Sequence, residues 1–123
     1  MNKAILEGYL GGDAVVRTGK NNKPFTTLSL ATQERRKDSE TGKYTTVPEW
    51  HNLILSGKLG DYAAANLKKG GHILIEGKIE HPVHKGVKRD QIRVQFLRNL
   101  DRKEHDATEE EEFDEIPEEE VVA

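Results

Sequence analysis

No cysteine occurs in this chain, which excludes disulfide frameworks, thiolate metal sites and cysteine nucleophiles. That lack also fits a reducing cytoplasm. Aromatic residues are scarce at 6%, and Trp50 is the single tryptophan, so an outward-facing ring stands out. Nowhere do about 18 apolar residues follow one another, as a membrane span requires, and the opening Met1-Asn2-Lys3-Ala4-Ile5-Leu6 lacks the apolar centre of a signal peptide. A soluble, unprocessed, cytoplasmic protein is expected. A phosphate-binding loop is also missing: Gly57-Lys58 has neither the earlier glycine at the right spacing nor a following hydroxyl. His81 and His84 flank Pro82 with no third ligand near them, and read as polar loop residues rather than metal ligands. Glu76 and Glu80 share one strand face and read as solvated surface carboxylates. With no serine nucleophile motif either, the expectation is a binding protein with no catalytic residue, no metal and no cofactor.

What is present is charge, unevenly placed. The 123 residues allow one compact domain, 34% hydrophobic and 33% charged. All 19 Lys and Arg lie in residues 1–103 with 11 acids, leaving +8, while residues 104–123 hold the other 11 acids and no base, leaving -11. The overall -3 therefore hides a basic body, 1–103, and an acidic tail, 104–123, expected to be disordered through self-repulsion at runs such as Glu109-Glu110-Glu111-Glu112. A basic body suggests a polyanionic partner. Solubility alone would also account for such a tail.

Hydrophobic periodicity in the body is mostly that of strands. Ala4, Leu6, Gly8 and Leu10 alternate with Ile5, Glu7 and Tyr9; Gly11-Gly12-Asp13 bends the strand, and residues 14–17 continue it. After the turn-forming run Gly19-Lys20-Asn21-Asn22-Lys23-Pro24, a second strand sets Thr26, Leu28, Leu30 and Thr32 on one face. Residues 35–45 form the polar, exposed arm of a long hairpin, and the return strand over 46–56 sets Leu53 and Leu55 against Trp50, Asn52, Ile54 and Ser56. Leu59, Tyr62, Ala63 and Leu67 recur at helical spacing, with Lys68 and Lys69 at the negative end and Gly70-Gly71 as a left-handed cap. Two strands follow, one burying Ile73, Ile75, Gly77 and Ile79, the other Ile92, Val94 and Phe96, joined by a basic hairpin tip over 81–88. This order predicts an all-β fold, a five-stranded Greek-key barrel of the oligonucleotide-binding kind, with one helix between its third and fourth strands.

Arg35, Arg36, Lys37, Lys85 and most other bases fall in loops and element ends that can line one groove, which suits phosphates without sequence specificity. Trp50 points away from Leu53 and Leu55 among polar neighbours, and is either a base-stacking ring or one packed under a loop or in a subunit contact.

The run from Asn2 to Gly11 with Asp13 and Arg17, then Leu30-Ala31-Thr32, Glu49-Trp50-His51, Gly57-Lys58-Leu59, Leu67-Lys68-Lys69-Gly70 and Ile75-Glu76-Gly77, resembles the bacterial single-stranded DNA-binding proteins in order, across residues 2 to 100. That resemblance implies a homotetramer binding single strands without sequence preference in replication, recombination and repair. It implies a stacking role for Trp50, basic positions near the DNA at Lys3, Lys58 and Lys69, and a subunit contact at His51. Three places where family members carry stacking rings hold Arg36, Ser56 and His84. Arg36 and His84 still offer a planar group to a base and Ser56 does not, so binding is expected to lean on charge. These departures fit a divergent member, a paralogue or one carried by a phage. In the tail, Phe113, Asp114, Ile116 and Pro117 resemble the partner-docking tip of the family, but Glu118 to Ala123 follow and no terminal phenylalanine is present, which puts recruitment of replication and repair proteins in question.

A docking module like the primosomal replication proteins built on the same barrel is the alternative, distinguished by strong partner binding without DNA. RNA also fits as a ligand, since stacking and phosphate contacts discriminate sugars weakly. Only a short linker joins body and tail, so the tail should compete with DNA for the basic groove. Deleting residues 104–123 should therefore tighten oligo-dT binding at low salt, and the gain should vanish as salt rises, measured by titration at two ionic strengths.

Overall fold

A computed structural model describes residues 1–101. Phe113, Asp114, Ile116, Pro117 and the rest of the tail lie outside the described residues. Among the described residues no helix is long and apolar enough to cross a membrane.

The chain forms β1 (Ala4–Leu10), β2 (Val15–Thr18), a 3-10 turn (Lys20–Asn22), β3 (Pro24–Lys37), β4 (Tyr44–Leu55), α1 (Gly57–Asn66), β5 (His72–Glu80), β6 (Val83–His84), β7 (Val87–Lys88) and β8 (Gln91–Asn99). The main sheet runs β1-β5-β8-β4-β3-β2, and a further β1–β3 pairing closes it into a barrel. Since β2 prolongs β1 along the same neighbour, β3, five strands make the wall, as the sequence pattern predicts. One parallel pair, Leu53 with Ile92 and Ile54 with Arg93, joins β4 to β8; the other pairings are antiparallel.

Alternation decides what the barrel holds. Leu28, Leu30, Leu53, Leu55, Ile73, Ile75 and Val94 are buried to within 4%. Helix α1 adds Leu59 and Ala63, followed by Leu67. Fully burying such a side chain contributes about 1.5–3 kcal/mol. Buried Thr26 donates its hydroxyl to the Gly60 carbonyl at 2.9 Å, so the one fully buried polar side chain of β3 is satisfied and ties the strand to the helix.

Several local expectations fail, each for a geometric reason. Strict period two would bury Phe96 beside Ile92 and Val94. A register shift between Glu76 and Gly77 pairs Glu76 with Phe96 and Gly77 with Val94, passing over Gln95, so Leu97 takes the core position and Phe96 turns outward. Ile79 keeps the inward parity but lies beyond the core at the barrel mouth, 43% exposed. Ser56 does not continue the outer face of β4: the strand stops at Leu55, and Ser56 is the N-cap residue of α1, 4% exposed. Helix α1 ends at Leu67, whose N–H reaches the Ala63 carbonyl, so Lys68 and Lys69 lie past the last turn. Gly70, at φ +86°, serves the following turn, in which the Gly71 N–H meets the Lys68 carbonyl at 3.0 Å.

Glu76 and Glu80 are also not merely solvated. Glu76 pairs with Lys3 at 2.6 Å, and Glu80 accepts from Gln91 at 2.9 Å and from the Arg93 Nε at 3.1 Å. Partial burial raises the Glu80 pKa, but hydrogen bonds from Gln91 and Arg93 and the charges of Arg93 and Lys78 outweigh it, holding the carboxyl below its ordinary 4.5. Its stabilisation is complete above the unfolded pKa and is lost as pH falls through the lower folded value. Glu80→Gln should cost about 1–2 kcal/mol at neutral pH and flatten the acid limb of stability below 4.5, measured by urea unfolding across pH.

Candidate nucleic-acid interface

The longest ladder of the molecule pairs β3 with β4 from Thr26–Leu55 out to Lys37–Tyr44, well beyond the barrel wall. The polar arm read from residues 35–45 is thus the distal part of a continuous ribbon, turned by residues 38–43. There the Asp38 carboxylate accepts the Glu40 N–H at 2.8 Å and its backbone N–H meets the Lys43 carbonyl. Because directly opposed residues share a face, the register sorts the side chains. Arg35, Lys37, Tyr44, Thr46, Pro48 and Trp50 leave the outer face; Glu34, Arg36, Glu49 and His51 leave the face that continues the barrel interior.

Trp50 is 58% exposed. Its ring rests on Gly11, where the chain bends from β1 towards β2: a Cβ at Gly11 would lie 2.4 Å from Cζ3 of the indole. No side chain other than hydrogen fits beneath the ring. Arg35, one of the expected basic contacts, holds its guanidinium carbon 4.5 Å from the centroid of the Tyr44 ring. Arg36 departs from the grouping with Arg35 and Lys37, since it lies on the opposite face, where its guanidinium is 3.7 Å from Glu34.

The remaining expected residues are dispersed. Lys3 precedes β1 and its ammonium engages Glu76. Lys58 sits exposed in the first turn of α1, and Lys69 follows the helix, its backbone N–H bonded to the Asp13 carboxylate at 2.8 Å. His84 and Lys85 belong to the β6–β7 hairpin, whose tip residues Lys85 and Gly86 both have positive φ. His51 bonds the Thr32 hydroxyl at 2.9 Å and is half-buried. His81 bonds Asp90 at 2.7 Å, which braces the base of the loop that carries the hairpin.

Between β4 and that loop lies a groove of about 680 Å³ whose lining includes Trp50, His51, Ile79 and Arg89 together with the carboxylates of Glu49 and Asp90. Its lining is mostly polar, with Trp50, Ile79 and Ile92 as its apolar members. Tyr44 on the outer face is left out of the site by the sequence reading, and Arg89 enters it only among the other loop bases. Parity with Trp50 would have found Tyr44 had the return strand been begun at 44 rather than 46. Arg89 carried only its charge as a signal.

A closed Greek-key barrel with this helix, and a groove between its third strand and the loop joining the last two, defines an oligonucleotide-binding-fold protein. Residues 1–109 match the Single-strand binding protein family. Among solved structures, Plasmodium falciparum SSB in complex with ssDNA is 23% identical, with a TM-score of 0.70 over 82% of this chain and 96% of that one. A deletion mutant of the single-stranded DNA binding protein from Thermus aquaticus is 27% identical, with a TM-score of 0.70 over 82% of this chain and 51% of that one. The chain belongs to the single-strand binding protein family.

Gly11→Ala should push the indole off its seat without unfolding the barrel. The expected readout is a shift in Trp50 emission and weaker oligonucleotide binding with little change in melting temperature.

Proposed function

We propose that this protein binds single-stranded DNA without sequence preference and shields it during replication, recombination and repair. The observation that carries this reading is Trp50, a ring open on the same outer face as Arg35 and Lys37, in a chain matched by the family over residues 1–109. Stacking on a ring tolerates any base and contributes about 1–3 kcal/mol per base, while lysine and arginine neutralise the backbone without reading sequence. In this reading residues 1–103 are the binding domain, and Lys3, Arg36, Lys58, Lys69, His84 and Lys85, dispersed over the body, add phosphate or planar contacts beyond the ribbon's outer face. Lys3 and Arg36 must exchange their carboxylate partners, Glu76 and Glu34, for phosphate, so their share should be the most sensitive to salt.

Four copies assemble in the cytoplasm through surfaces that include His51, and the acidic tail, whose Phe113, Asp114, Ile116 and Pro117 resemble a docking tip without its terminal phenylalanine, competes with the strand for the basic body. The protein acts by binding, without catalysing a reaction.

Titration with oligo-dT and with a duplex of equal length tests the reading through the fluorescence of Trp50. Strong quenching by the single strand that survives moderate salt is expected, with Trp50→Ala binding about 5- to 150-fold more weakly. Quenching by neither ligand, or by both with equal loss in salt, would overturn it in favour of a protein-docking module.

A further inference from the structure

The projecting β3–β4 ribbon has two chemically different faces. On the outer one, from Ala31 to Lys37 and from Tyr44 to Trp50, the register places two bases, Arg35 and Lys37, and two rings, Tyr44 and Trp50, with no carboxylate. Glu34 and Glu49 both leave the other face, together with Arg36. The residues of β4 between the rings, Thr46 and Pro48, are short, so nothing large on that strand stands between them.

Tyr44 is 57% exposed, almost as open as Trp50, although a tyrosine on a polar arm has no core to enter. Lys37 lies directly opposite it and Arg35 diagonally, with the Arg35 guanidinium 4.5 Å from the ring centroid. The pair presents a flat apolar surface and a positive charge side by side. A nucleotide presents the complement, a flat base and a negative phosphate.

We propose that Tyr44, with Arg35 over its ring, is a second base-stacking platform, and that the bound single strand runs along the outer face of β4 from Trp50 to the arm. This rests on the single-strand reading and extends its site. Six residues of strand separate the rings by about 20 Å, so one nucleotide cannot touch both. The platform also supplies stacking that Ser56 does not provide at its position.

The test uses the full chain and dT oligomers of about 12 nucleotides, long enough for one barrel of this fold. Tyr44→Ala should weaken binding about fivefold or more, and Tyr44→Phe should bind as the unaltered protein does. Arg35→Ala should lower the dependence of log affinity on log salt by about 0.7, whereas Tyr44→Ala should leave that slope unchanged. Photocrosslinking with 5-iodo-dU should join a base to residue 44. Because Tyr44 makes no core contact, the variants should melt with the unaltered protein, which separates lost binding from lost folding. Unchanged affinity in Tyr44→Ala, or equal loss in Tyr44→Ala and Tyr44→Phe, would overturn the platform while leaving Trp50 quenching intact. Absence of any dT binding by the unaltered protein would instead overturn the single-strand reading itself.

Discussion

Closure of the sheet is the constraint on which the rest depends. Two residue pairs, Tyr9 with Ala31 and Leu10 with Leu30, join β1 to β3, and the short parallel contact of β4 with β8 seals the opposite side. Once the wall is closed, every strand has an unambiguous inside, and a slip of one residue would turn leucines to water. The leucines and isoleucines of β3, β4 and β5 fix that choice, because fully burying each contributes about 1.5–3 kcal/mol and a slip would forfeit most of them together. Trp50, Tyr44, Arg35 and Lys37 face outward because Leu28, Leu30, Leu53 and Leu55 face inward.

The same ladder gives the surface its electrostatic character. By continuing far beyond the barrel, β3 and β4 carry the inside–outside alternation into solvent, where it separates Glu34 and Glu49, with Arg36, from the exposed rings and from Arg35 and Lys37. A basic surface attracts a polyanion from any direction, but one face free of carboxylates gives the chain of phosphates a preferred course. The groove differs in kind: Glu49 and Asp90 offset the charge of Arg89 within a mostly polar lining that also holds Trp50, Ile79 and Ile92.

Much of this was legible in the chain because strand period and turn chemistry are local signals. The inward sets Leu28 and Leu30, Leu53 and Leu55, and Ile73 and Ile75 occupy the core as the alternation predicts. The helix between the third and fourth barrel strands and the basic hairpin tip follow from order and spacing, and the family from the likeness of its motifs. What escaped depends on another strand. The shift that puts Leu97 inside and Phe96 outside lies in the pairing of β5 with β8, and neither sequence records it. Ser56 left the outer face because the helix began one residue after it, and Ile79 stayed open because the barrel ended before it.

The sequence by itself therefore determined the class of fold, the basic body with its acidic tail, and which face of each strand would be apolar, since these follow from period, composition and charge. Only the tertiary structure decided which polar residues stand together. Arg35 meets Tyr44 across a register that spans the hairpin, Arg36 is turned to the opposite side with Glu34, Lys3 finds Glu76 and Trp50 settles on Gly11. Each of those meetings joins residues brought together by the pleat, the ladder or the closure of the sheet, and no local pattern of charge or hydrophobicity distinguishes the partner from its neighbours.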